Sequence, residues 1–482
     1  MHNVTALEGG WRTAGIVALG AVVLVVALAL VSGETSAAAM LLVVPVLPVA
    51  ALVGLKGFAG HRVEAMLLAW FVVFVCAANF RVRDYADKSL DFQVLLKLAA
   101  IGICVAVCTV HVRALLGRMN AGLGLWAAYF AILVGSSAYA VQPSFAAMTS
   151  ISFVVAFAYV LYLAISLGRQ RTVEVMVAVV LVMSVASLAV YWAVPSLGRM
   201  QAWTGVEFGT IGRLRGITGS ANAIGSTAAF GILLAVLYFR EFRGGARLMA
   251  VVTIVAAAAC VHLSDNRMSI LAFLCAVWFW FAFGANAPAR LLLSVCLAVV
   301  GVLVLAVFAD AIFASLSRTG NAAEITSATG RSEIWLVAIE LWSQRPLLGW
   351  GYASALSILP GDPRLFGVAA HTHNLYLETL FSTGLVGFGM FLSALAATLW
   401  RGFAVGAVRE MALIVFFLVR GMTEASPLSG MAGFATFAFS LGIVLVLTAP
   451  RRAPRPAAAG LPSRWPGTSA SAPVPRPAAA RG

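Results

Sequence analysis

What most constrains this chain is a succession of apolar runs, each long enough to cross a bilayer or nearly so. A run of about 17–25 apolar residues reads as a spanning helix, because the hydrocarbon core is about 30 Å thick. Fourteen such runs are visible, at 13–32, 38–55, 65–80, 92–111, 121–141, 147–167, 172–194, 219–239, 247–264, 268–284, 290–311, 375–398, 408–420 and 430–448. The weakest are 38–55, 65–80 and 408–420, and the count falls to twelve or thirteen if some are re-entrant. The fold class is therefore all-α, a polytopic transmembrane bundle of about 12–14 helices. Composition agrees: 62% of the 482 residues are hydrophobic, only 10% are charged, and mean hydropathy is +0.98. Soluble domains carry about 25% charged residues, so a cytosolic enzyme, a secreted disulfide scaffold and a disordered chain are excluded.

The net charge of +14 comes from 32 basic and 18 acidic residues. Basic residues in short loops set membrane orientation, which accounts for the excess without nucleic acid as a partner. With the N-terminus inside, alternation gives every inner loop at least one basic residue: Arg12, Lys56 and Arg62, Arg113 and Arg118, Arg169 and Arg171, Arg240 to Arg247, Arg290, Arg401 and Arg409. The outer connections 33–37 and 142–146 have none, and at 81–91 three basic residues are balanced by Asp84, Asp87 and Asp91. All six cysteines fall inside apolar runs, so neither a disulfide framework nor a zinc signature is present. The first apolar run lacks a small-residue cleavage signature and reads as a retained helix.

Three regions follow: transmembrane helices over 1–194, a membrane region with outer segments over 195–448, and a low-complexity, disordered inner tail over 449–482. Two outer segments are long, 195–218 and 312–372. Within the second, Ile334, Trp335, Ala338, Ile339 and Trp342 share one helical face, and Pro346 with Gly349-Trp350-Gly351 ends that helix. Such an amphipathic helix is expected in the headgroup layer.

Four polar clusters fall at outer helix ends, where ionisable groups are costly and point to function. Arg213 and Arg215 precede a glycine-rich helix start that favours an anion, although interfacial arginines also bind lipid phosphate. Arg267 lies in Ser264-Asp265-Asn266-Arg267, where it either serves a site or pairs with Asp265. His371-Thr372-His373-Asn374 opens another helix. Imidazole is a general base near neutrality without a large shift, Asn374 is a candidate cap, and a metal is disfavoured for want of a third ligand. His371, two residues back in the loop, reads as a surface residue. Gly384 and Gly387 suggest close helix packing. Finally, Arg420 and Glu424 are one turn apart and suited to pair. No ATPase loop, zincin or serine-hydrolase motif is present. Such a face suits an anionic, membrane-borne and already activated substrate, and a lipid-linked diphosphate fits.

His373-Asn374, nine residues, then Gly384-x-x-Gly387 resembles the motif of the bacterial O-antigen ligase and polymerase superfamily. Arg215-Gly216, Asn266-Arg267, Gly330-Arg331-x3-Trp335, Pro346-x2-Gly349-x-Gly351 and Arg420-x3-Glu424 fit in the same order, together covering about 210–425. Residue 266 departs from the Ser or other small residue common there, and fourteen spans exceed the usual dozen. The resemblance implies an inverting, metal-independent and cofactor-free glycosyltransferase facing the periplasm from the bacterial inner membrane. Its donor would be an undecaprenyl-diphosphate-linked glycan, and its acceptor lipid A-core or a second lipid-linked glycan. His373 would be the base, with Arg215 and Arg267 on the diphosphate. Arg213, Asn374 and Arg420 would bind substrate, and Arg331 would bind it or position the loop helix. Ligase is the leading expectation, O-antigen or exopolysaccharide polymerase the alternative, and a lipid-linked sugar flippase the second alternative.

Overall fold

A computed structural model describes residues 62–79, 91–200, 212–284, 288, 290–296, 298–301, 331–365, 369 and 371–450. The expected spans 13–32 and 38–55, the part of the outer segment before 331 and the tail beyond 450 lie outside the described residues. The longer helices are α1 (Arg62–Ala77), α2 (Phe92–Val110), α3 (Ala121–Gly135), α4 (Pro143–Ser166), α5 (Gly168–Ala193), α6 (Ala221–Tyr238), α7 (Gly245–Ser264), α8 (Arg267–Phe283), α9 (Arg331–Ser343), α10 (Leu375–Val405), α11 (Val408–Arg420) and α12 (Phe434–Thr448). Seven are long and apolar enough to cross a membrane: α2, α3 with the turn after it, α4, α5, α6, α7 and α10. Among the described residues there are no strands, only an isolated bridge between Arg199 and Leu214. The chain is an all-α, multi-pass membrane protein.

Local chemistry sets where these helices begin. Asp91, Asn120, Ser220, Asn266 and Asn374 sit at the N-caps of α2, α3, α6, α8 and α10, and each side chain accepts a first-turn backbone N–H. Each such cap is worth about 1 kcal/mol. Between helices, lipid removes most of the hydrophobic driving force, so close packing must hold the bundle. Trp126 of α3 is fully buried and meets Phe157 of α4, Phe391 of α10 and Phe439 of α12, while its indole N–H donates to Thr398 Oγ1 at 3.0 Å. At the far end of α5, α6 and α11, Arg169 bridges Glu241 (2.7 Å) and Glu410 (2.9 Å), and Arg409 holds Glu241 at 2.5 Å. The Tyr238 hydroxyl donates to Glu410 at 3.1 Å. These charges satisfy one another.

The helix expected over the outer segment forms as α9, but its buried face is rotated from the sequence reading. Val337 and Ala338 are buried against Ala355, Leu359, Leu365 and Phe381, with Trp335 and Trp342 half-buried beside them. Ile339 points away, 48% exposed. Protein takes up this face.

α10 is broken at Gly384, whose φ of 61° and ψ of −165° no α-helix contains. The loop Pro346–Gly351 fills the break. Trp350 and Gly351 N–H donate to the carbonyls of Phe381 (2.8 Å) and Ser382 (2.9 Å). In return, Leu385 and Val386 N–H donate to those of Pro346 (2.8 Å) and Leu347 (3.1 Å). Backbone groups freed within a membrane helix must be paired again, at several kcal/mol each if they are not. The approach needs glycine on both sides: a Cβ on Gly349 would lie 2.5 Å from the Phe381 oxygen, and one on Gly384 would enter the Leu347 backbone. Gly384 thus admits a loop into a helix break, where close packing of two helices was expected.

Gly384→Ala should therefore lower thermal stability strongly. A positive φ with ψ near 180° is open essentially to glycine alone and costs another residue about 1–3 kcal/mol, and the collision adds to it. Alanine at Gly389, whose Cβ would meet nothing within 4 Å, is the matched control; equal melting temperatures in detergent would refute the account.

Candidate functional site

The helix ends bring the four sequence clusters together at one end of the bundle. Asn374 caps α10, its Oδ1 accepting from Tyr376 N (3.0 Å) and Leu377 N (3.1 Å), while its Nδ2 donates to the Met422 carbonyl at 3.1 Å. Just before it, His373 has a left-handed backbone, φ 51°. A non-glycine residue there holds about 1–3 kcal/mol of strain and persists only where its surroundings enforce it. The enforcing contacts are visible. Glu378 accepts from Thr372 N (3.0 Å) and Thr372 Oγ1 (2.9 Å), Trp335 Nε1 donates to the Thr372 carbonyl (2.9 Å), and His373 N donates to His371 Nδ1 (3.2 Å).

His373 Nδ1 faces Glu424 Oε1 at 3.7 Å, within ion-pair range but beyond hydrogen-bond length, and it is buried without a hydrogen-bond partner. Such contacts commonly tighten when a site closes on substrate. Burial alone would raise the Glu424 carboxyl, but His373, Arg420 and His371 together outweigh it and hold it well below the usual carboxylate range. The carboxylate is poised to stabilise an imidazolium.

His371 is no surface residue. Its ring lies against that of His373, with centroids 3.9 Å apart and planes tilted by 55°, and it lines the cavity described below. Burial first, then His373 and Arg331, depress it from 6.5 to about 3. His371, His373 and Glu424 supply the third metal-ligand candidate that the sequence reading lacked, with ligand atoms within 4.8 Å of one another. His371 is nonetheless a poor ligand as folded, because its Nδ1 accepts the His373 N–H and the proton is left on Nε2.

The arginines divide by role. Arg213 Nε donates to the Ser264 carbonyl (2.8 Å), and its Nη2 to the Asp265 carbonyl (3.3 Å) and Asn222 Oδ1 (3.4 Å). Arg215 is buried; its guanidinium donates to the carbonyls of Leu197 (3.0 and 2.6 Å) and Ser196 (3.3 Å), which ties down the loop that carries Arg213. Arg267 forms the ion pair with Asp265 (3.3 Å) and stays 33% exposed. Arg420 is buried. It donates to Ser426 Oγ and to the Asn222 carbonyl (3.4 Å) rather than pairing directly with Glu424. Arg331 opens α9, close enough to act electrostatically on His371 and Arg420.

A cavity of about 460 Å³ opens beside these groups. Asn222, His371, Glu378, Arg420 and Glu424 line one side, and Asn79 and Lys97 another; hydroxyls of Ser220, Ser226, Thr227 and Thr436 and the rings of Phe145, Tyr352 and Phe434 complete it. Lys97 Nζ donates to Asn79 Oδ1 at 2.6 Å, and Asn79 Nδ2 to the Thr218 carbonyl at 3.1 Å. Sequence reasoning passed over Lys97 and Asn79, and gave no role to Asn222 and Glu378 although both fall within its clusters. A lysine within a spanning run was the available signal for the first.

Residues 252–392 match the family described as O-Antigen ligase. That stretch holds Arg267, Arg331, His371, His373, Asn374 and Gly384, while Arg213, Arg215, Asn222, Arg420 and Glu424 lie outside it. No curated protein matches the chain.

The His371 environment carries a sign that can be measured. Its folded value is depressed, so between pH 6.5 and about 3 the unfolded chain binds a proton that the folded one does not, and stability falls as pH falls through that window. Glu424 adds its own loss only below the ordinary carboxylate value of 4.5. The melting temperature should drop between neutral pH and pH 5, and His371→Gln should flatten that slope. An unchanged slope in the variant would assign it elsewhere.

Proposed function

We propose that this multi-pass chain, part of which matches the O-antigen ligase family, is a glycosyltransferase of lipopolysaccharide biosynthesis of the O-antigen ligase and polymerase kind. It moves an undecaprenyl-diphosphate-linked glycan onto a sugar hydroxyl of lipid A-core, at the periplasmic face of the bacterial inner membrane. The observation that carries this reading is the His373–Glu424 pair beside a hydroxyl-lined cavity, with cationic side chains around it.

In this reading the acceptor hydroxyl oxygen attacks the anomeric carbon and the bond from that carbon to the diphosphate oxygen breaks. Attack opposite the leaving group inverts the configuration. The hydroxyl proton passes to His373 Nε2, since Nδ1 faces Glu424, and the carboxylate steadies the resulting imidazolium, as the acid does in a catalytic triad. The departing diphosphate takes the bonding electron pair. Arg267, partly exposed at the head of α8, and Arg213 meet that charge, in the manner of preorganised donors. Arg215 secures the loop behind Arg213, and Arg420, Asn374 and Arg331 shape the substrate side. The diphosphate is its own leaving group, so the transfer needs neither metal nor nucleotide.

With purified protein, lipid-linked glycan and core acceptor, His373→Ala should lose transfer by about 10²–10⁴-fold while still inserting, and a chelator should leave the unmodified rate alone. Near-normal turnover in His373→Ala would sink the base assignment. Arg267→Ala should raise the donor KM and lower kcat together. Arg215→Ala should lose thermal stability as well as rate, since three hydrogen bonds to carbonyls go with it. A deletion strain separates the acceptors. Bare core with accumulated lipid-linked polymer marks a ligase, core with a single repeat a polymerase, and normal lipopolysaccharide with lost exopolysaccharide a different export role.

A further inference from the structure

Asn222, in the first turn of α6, touches both halves of the site. Its Oδ1 accepts from Arg213 Nη2 (3.4 Å) and its Nδ2 donates to Glu424 Oε2 (3.3 Å). Its backbone carbonyl accepts from Asn266 Nδ2 (2.9 Å) and from Arg420 Nη2 (3.4 Å). The amide is therefore oriented from both ends: a guanidinium can only donate and a carboxylate can only accept, so oxygen must face Arg213 and nitrogen Glu424. Glu424 in turn has one oxygen on Asn222 and the other toward His373. Ser220 caps the helix that carries Asn222, and Gly225, one turn on, lies against Asn266 and Ser264. The amide sits on a firm element.

We propose that Asn222 is a positioning residue: it aims the Glu424 carboxylate at His373 and ties that pair to the arginine side of the site. This rests on the reading of His373 as the base. The amide is neutral, so it holds the carboxylate without contributing charge, and the local balance is left to the groups that face Glu424. These are His371 and His373 from the turn before α10, Arg420 from α11, and Arg213 behind Asn222. Lys97 and Glu378 line the same cavity, and Arg331 acts on His371 from the start of α9. An aspartate at this position would put a carboxylate oxygen where the amide now donates to Glu424, and two carboxylates that close repel or share a proton, so alanine is the cleaner probe of the tie.

Two readouts test this on the full chain in nanodiscs. The first is independent of turnover: carbethoxylation of His373 by diethyl pyrocarbonate, which attacks neutral imidazole, followed against pH by peptide mass spectrometry. Asn222→Ala, which cuts the tie without adding charge, frees the Glu424 carboxylate from His373 and should move the midpoint of reactivity down. The acid limb of the transfer profile should move with it. The same variant should lower kcat about tenfold, the scale of one lost coupling between neighbours, with a smaller change in donor KM. A variant that only loosened the fold would lose rate at every pH and leave the midpoint alone.

An unmoved midpoint in Asn222→Ala overturns the proposal, as does full turnover in that variant. If the unmodified protein joins the lipid-linked glycan to neither core nor a second lipid-linked glycan, the transferase reading falls. The reactivity midpoint then still decides whether Asn222 governs the His373–Glu424 pair.

Discussion

The site depends on a backbone exchange between a loop and a broken helix. α10 cannot continue through Gly384, and Pro346–Gly351 supplies the donors and acceptors that the break leaves open. In a medium without water to solvate peptide groups, that exchange lets an irregular backbone sit at membrane depth. It also fixes where the segment carrying α9 runs. α9 and the turns after it are held against the first part of α10, and that part begins with Asn374 and the turn bearing both histidines.

On this frame the polar groups are paired by type, and few charges are left to solvation alone. Carbonyls at the C-terminus of α7 take the guanidinium of Arg213, and those of the helical turn Pro195–Gly198 take that of Arg215. Arg420 is met by a hydroxyl and a carbonyl, and at the opposite end of the bundle Arg169 and Arg409 are met by carboxylates. Buried charge is tolerated where remaining donors find acceptors. Glu424 and His373 differ. Their approach is close but incomplete, and an incompletely satisfied pair beside a cavity has capacity left for a substrate.

Much of this was legible in the residue pattern, for physical reasons that also mark its limits. Apolar runs found the helices because the bilayer sets their length, and polar residues at run ends found all four clusters because charge there is costly. The cap at Asn374 follows from side-chain chemistry within three residues. What failed to show was whatever depends on distant contact. Gly384 read as a small residue for packing, since its partner lies more than thirty residues upstream. His371 read as exposed because sequence does not reveal that α10, α11 and the loop close over it. Glu424 read as a partner for Arg420 one turn away, whereas the fold turns it to His373. Asn222 carried no signal, because an amide near a helix start is ordinary until both of its neighbours are known.

The left-handed backbone at His373 has a consequence for how this position can change over time. Only glycine, asparagine and aspartate readily share that conformation with histidine, and β-branched or bulky residues are genuine outliers there. Two filters act on one codon, the shape of the peptide and the chemistry of the ring. Invariance at this position among relatives would not by itself reveal which filter was at work. Lineages carrying asparagine or glycine there, with the fold intact and the imidazole gone, would be natural experiments in what the ring contributes.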